Sequence, residues 1–92
     1  MSNFDKLTLQ ALEATAAASA TYLDACDSGA GNSRLDPEYY RACGDLLIRI
    51  FSLVDPERDF PDLLKRSPAA REIADSIELR RRIEAGKLRY HP

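Results

Sequence analysis

All four internal prolines of this 92-residue chain stand where a helix can begin, and that placement limits the fold more than any other feature of the sequence. Asp36-Pro37-Glu38 has a capping side chain, a first helical residue with no N–H to leave unpaired, and an acid in the first turn. Asp55-Pro56-Glu57 repeats that signature, but Pro61 follows too soon for a long helix. A turn and one short helical piece over 61–66 are expected there. Ser67-Pro68-Ala69-Ala70 then opens a last long helix.

Three long helices follow from these starts. The first is expected over 4–26, with Ser2 or Asn3 as its cap and Asp5 in its first turn. The second is expected over 37–54, and the third over 68–85, stopped by Gly86 as a left-handed terminator. A tail, 87–92, remains. Val occurs once and Trp not at all, while Ala, Leu, Arg and Glu are abundant, so the intrinsic bias is helical. No segment alternates apolar and polar residues over strand length. The expectation is an all-α single domain over 1–92, a small three-helix bundle with a short extra helical turn between helices two and three.

Thirteen of the hydrophobic residues are Ala, leaving twenty-one Leu, Ile, Val and Phe for bulk, which favours closely packed helices. On the first helix Phe4, Leu7, Ala11, Ala14, Ala18, Tyr22 and Ala25 share a face that Leu12, Ala16 and Leu23 widen. Lys6, Gln10, Glu13 and Asp24 lie on the other side. That broad methyl face suits a bundle interior, or a seam between two copies of the chain in a homodimer. The second helix is apolar over more than half its girth and is expected at the centre. Its adjacent Tyr39 and Tyr40 point to different sides, so at least one phenol belongs near the surface. On the third helix Ala70, Ile73, Ala74 and Ile77 form the core stripe. Beyond Ile77 the stripe meets Arg81 and Glu84, while Leu79 and Ile83 change sides.

Charge is segregated along the chain. Residues 1 to 64 carry eleven acids against five bases, and the remaining 28 carry eight bases against four acids. The acids at 36 and 55 have cap and turn roles without any partner. The basic end is the better recognition element. Leu79, Ile83 and Leu88 are the expected apolar contacts, with Arg80, Arg81, Arg82, Lys87 and Arg89 as steering charges. The arginines fan over about 200° of helix, and Glu78–Arg82 and Arg80–Glu84 are spaced for local pairing. A solvated helix with local ion pairs accounts for this segment without a partner; as a recognition element it is expected to bind another protein with an acidic surface, and a small nucleic-acid-binding regulator using the same arginines on phosphates is the alternative. A helix-turn-helix drawn over 62–82 has too short a leading helix and no Gly in its turn.

Catalytic chemistry finds little to work with. His91 is the only His and stands beside the last residue, while Cys26 and Cys43 have no CxxC spacing and no His near them in sequence. Their unequal offsets from the intervening loop disfavour a disulfide, and two small thiols in helices fit a reducing, cytoplasmic setting. Ser28-Gly29-Ala30-Gly31-Asn32-Ser33 is a connection that lacks the Lys and hydroxyl of a phosphate loop. The acids over 55–62 lack the Gly and distal Glu of a calcium loop, and a phosphate-mimicking surface is expected to be far more acidic than this. No enzyme activity, metal or cofactor is expected. The longest apolar run, Leu46 to Val54, is about half a membrane span and contains Arg49. The Ala18-Ser19-Ala20 pattern follows a segment too polar for a secretory signal.

Overall fold

A computed structural model describes the backbone over 4–28 and 36–90, with side chains for all of these except 28 and 87–90. Its helices run in the order α1 (Lys6–Ser28), α2 (Pro37–Leu53), α3 (Pro56–Asp59), α4 (Pro61–Arg66) and α5 (Pro68–Tyr90). Among the described residues there is no strand, so the architecture is the expected small all-α bundle. The long helices α1, α2 and α5 pack on one another, and the short α3 and α4 pack together, with α4 also against α5.

Each helix start has a visible cause. Asp36 has extended backbone, with ψ at 118°, and its carboxylate accepts the Glu38 amide at 3.0 Å. At α1 the cap is Asp5, not Ser2 or Asn3. Its carboxylate accepts the Thr8 amide at 2.7 Å while its carbonyl accepts that of Leu9 at 3.0 Å. That amide bond holds the Asp5 carboxyl below the ordinary carboxylate range. The turn expected after Asp55 is itself helical, α3, a fifth helix beside the four expected. It survives because it is a single turn. The Asp59 carboxylate folds back to accept the Asp55 amide at 3.1 Å, and Phe60 donates its own amide to the Pro56 carbonyl.

The core is built from Ala16, Ala20 and Leu23 of α1, Leu47, Ile50 and Phe51 of α2, Phe60, Leu63 and Leu64 around α4, and Ala70 and Ala74 of α5. Phe51 and Phe60 are fully buried, with ring centroids 6.1 Å apart. Ile73 and Ile77 pack against this cluster, which confirms the stripe expected on the last helix.

Three expectations are corrected. The buried arc of α1 centres on Ala16, with Leu9, Leu12, Ala20 and Leu23, whereas Leu7, Ala11, Ala14 and Ala18 are exposed. Burying three leucines outweighs burying one leucine and several methyls, at roughly 0.8 kcal/mol per methylene. The α2 helix is central only along its inner side, because Ala42, Leu46 and Leu53 remain exposed on the other, and Tyr39, although its ring meets that of Tyr22 edge-on, is still exposed there too. Finally, α5 does not stop at Gly86 but continues to Tyr90. A glycine terminates a helix by turning left-handed, and Gly86 does not adopt that conformation. The helical preference of the residues around it outweighs an intrinsic cost of about 1 kcal/mol.

Candidate partner-binding surface

The surface begins with how α5 is anchored. Pro68 has no N–H to satisfy, and the next two amides are taken by side chains. Ala69 donates to Asp24 of α1 at 2.8 Å, and Ala70 donates to the Ser67 hydroxyl at 3.1 Å. The Ser67 hydroxyl in turn donates to the other oxygen of Asp24 at 2.5 Å. The first turn of α5 is thus held by its own cap and by α1 together. Further along, Arg71 bridges Glu57 of α3 and Asp75 of α5, and those carboxylates hold its guanidinium more firmly protonated than usual.

Anchored in this way, α5 runs over the core as far as Ile77 and then leaves it. Leu79 is 59% exposed and Ile83 48%, one turn apart on the same face. Arg80 and Arg82 flank that pair, both exposed. Arg82 carries an ion pair to Glu78 at 3.2 Å, the pairing expected from spacing. Among the described residues Arg80 makes no corresponding pair with Glu84.

Arg81 does not join the others. It continues the core stripe, and its guanidinium reaches the Ser52 carbonyl at the end of α2, 3.4 Å away. A cation there complements the negative end of the helix. The expected surface therefore resolves into Leu79 and Ile83 with Arg80 and Arg82, leaving Arg81 committed to the bundle. Side chains of Lys87, Leu88 and Arg89 lie outside the described residues, as do His91 and the connection over 29–33.

A cleft of about 460 Å³ lies beside this segment, where Asp55, Glu57 and Glu78 face Arg71, Arg81 and Arg82. Both signs of charge line it and several are paired with each other, so it offers no single-sign trap for an anion. Both cysteines are free, Cys43 buried and Cys26 half-buried. Among the described residues no three His, Cys, Asp or Glu side chains converge as metal ligands, and no helix is long and apolar enough to cross a membrane.

Asp24 was not legible as an anchor, since it sits on the polar side of its own helix and its partners follow more than forty positions later. No local pattern encodes that contact. Comparison with family models, with curated proteins and with solved structures finds no match to this chain.

Proposed function

We propose that the protein is a non-catalytic interaction module of the cytoplasm, an adaptor, accessory subunit or inhibitor, that binds another protein through the outer half of α5. The observation that carries this reading is the departure of α5 from the core after Ile77. Leu79 and Ile83 are left in solvent on an otherwise charged segment. A helix presenting two aliphatic anchors one turn apart suits a partner groove that accepts one helical face. Arg80 and Arg82 beside those anchors favour a groove with an acidic rim, where rim charges steer encounter and buried aliphatics supply most of the affinity. Arg81 is turned away to the end of α2, which breaks up the arginine cluster that the rival reading places on nucleic-acid phosphates.

Affinity capture from the source lysate tests this. The wild-type chain is expected to recover one dominant protein, and Leu79→Asp with Ile83→Asp is expected to lose it while circular dichroism stays unchanged. Equal recovery by that variant excludes the surface. Fluorescence anisotropy with mixed-sequence DNA and RNA at about 50 mM salt addresses the rival, since phosphate contacts are strongest at low salt. Binding there that Arg80→Glu with Arg82→Glu abolishes would replace the protein partner with a nucleic acid.

A further inference from the structure

We propose that the cleft between α4 and the start of α5 binds a small organic carboxylate, a single negative charge on a compact apolar body. The cleft has a volume of about 500 Å³, within the range of small-molecule sites. Its apolar lining is Leu64, itself buried, and the exposed rings of Pro61 and Pro68. Neither proline has an N–H, and the Leu64 amide donates to the Phe60 carbonyl at 3.3 Å, so this part of the lining presents no free donor.

The charge that remains in the cleft after internal pairing is of one sign. Glu57 is the acid of its lining, and Arg71 holds it while also holding Asp75. Lys65 and Arg66 are exposed, and among the described residues neither side chain makes an ion pair or a hydrogen bond. Three bases thus stand against one acid, on a chain whose formal charge is −2. Lys65 and Arg66 lie in the last turn of α4, where a cation suits the helix end, and that role leaves their head groups unengaged. The cleft beside Arg81 and Arg82 differs, because the opposite charges lining it are largely paired with one another.

The surroundings favour a carboxylate over a phosphate. Phosphate sites at helix starts draw on free backbone amides. The first turn of α5 has none to give. Pro68 lacks an N–H, Ala69 donates to Asp24, Ala70 to the Ser67 hydroxyl, and Arg71 to the Ser67 carbonyl at 3.0 Å. Recognition of an anion therefore falls to side chains. The planar fork of Arg66 can take a carboxylate through two parallel hydrogen bonds, with Lys65 as a neighbouring point charge. The apolar body of the ligand then lies against the two prolines, whose rings have little freedom to lose. The walls are fixed beforehand, since Arg71 ties α3 to α5 and Asp24 holds the turn that carries Pro68. This cleft is at the start of α5, away from Leu79 and Ile83, so it and the partner surface can fail independently.

Amide chemical shifts of the isotope-labelled intact chain, followed at constant ionic strength, test the site. Phenylacetate is the probe, phenylacetamide its uncharged counterpart and inorganic phosphate the competing anion. Phenylacetate is expected to shift the amides of Leu64, Lys65, Arg66 and Arg71 together, saturating with half-effect at about 1–10 mM, as suits a ligand of about ten non-hydrogen atoms. Phenylacetamide is expected to bind about tenfold more weakly or worse, because it forfeits the charge-assisted hydrogen bonds. Lys65→Gln with Arg66→Gln is expected to weaken phenylacetate by a similar factor while the rest of the spectrum stays in place. Shifts that remain linear throughout the titration, equal saturation by phenylacetamide, or a half-effect unmoved by the double substitution overturns the proposal. Saturation of the same amides by phosphate with no response to phenylacetate also overturns it, and reassigns the cleft to phosphate.

Discussion

Asp24 and Ser67 are separated by 43 positions, yet the Ser67 hydroxyl donates to the Asp24 carboxylate at 2.5 Å and the two side chains share the first free amides of α5. Ser67 is buried, so neither the hydroxyl nor those amides have ready access to water as a substitute. Ser67→Ala is expected to cost about 1–2 kcal/mol as a lost cap. Asp24→Ala strands both Ser67 and the Ala69 amide and is expected to cost about 2–3 kcal/mol. Urea denaturation of the single and double variants measures this, and the double variant should cost less than the sum because both act on one network.

Tyr40 donates to Asp27 at 2.8 Å across the gap between α2 and α1. That hydrogen bond, with burial and the negative charge of Asp27, raises the phenol above its ordinary value of 10.0. A raised value means that the folded state favours the protonated phenol. The corresponding stability is fully present below the unfolded value near 10.0 and is lost as pH rises through the higher folded value. Burial raises the Tyr22 phenol as well, so absorbance at alkaline pH should show two tyrosines titrating late, and Tyr40→Phe should remove one of those late components and reduce the alkaline fall in melting temperature.

Phe51 and Phe60 bring α2 and the start of α4 together at the centre of the core. Phe51→Ala is expected to cost about 3–5 kcal/mol, because a fully buried ring leaves a cavity that small neighbours cannot fill. A chain of this size has a total stability of about 5–13 kcal/mol, so the variant should be marginal at 37 °C. Thermal melts decide it. A loss below about 1 kcal/mol would mean that the core collapses around the missing ring.

Gly44 lies within α2, and a methyl group added there meets no atom within 4 Å. Gly44→Ala is expected to stabilise the protein by about 0.5–1 kcal/mol, since alanine loses less backbone freedom on entering a helix. Chemical denaturation should show a higher midpoint with the same slope.

The prolines made most of the fold readable. Asp36-Pro37 and Ser67-Pro68 encode helix starts within a few residues, and Pro61 opens α4 as expected. The face of α1 was less readable because alanines occur nearly all round it. Which of them are inside depends on Leu9, Leu12 and Leu23 competing against Leu7, and that contest is settled only when neighbours are in place. Gly86 misled for a related reason, since a glycine permits a left-handed stop without requiring one. In the candidate site, the exposure of Leu79 and Ile83 was legible from the change of face after Ile77. The diversion of Arg81 to Ser52 was not, because its acceptor is a backbone carbonyl of another helix.

The unbroken course of α5 has a mechanical consequence. Thirteen residues follow Ile77 within one continuous helix, a reach of about 20 Å at 1.5 Å per residue. Such an arm has no left-handed break at Gly86, so the position of its outer aliphatic pair follows from how the rest of α5 is held, by Asp24 at its first turn, by Ile73 and Ile77 on the core, and by Arg81 at the Ser52 carbonyl. A load applied at Ile83 is therefore passed along one rigid rod to the Arg81 contact and to the Asp24 grip, so the arm and the bundle share the strain of any partner that pulls on it.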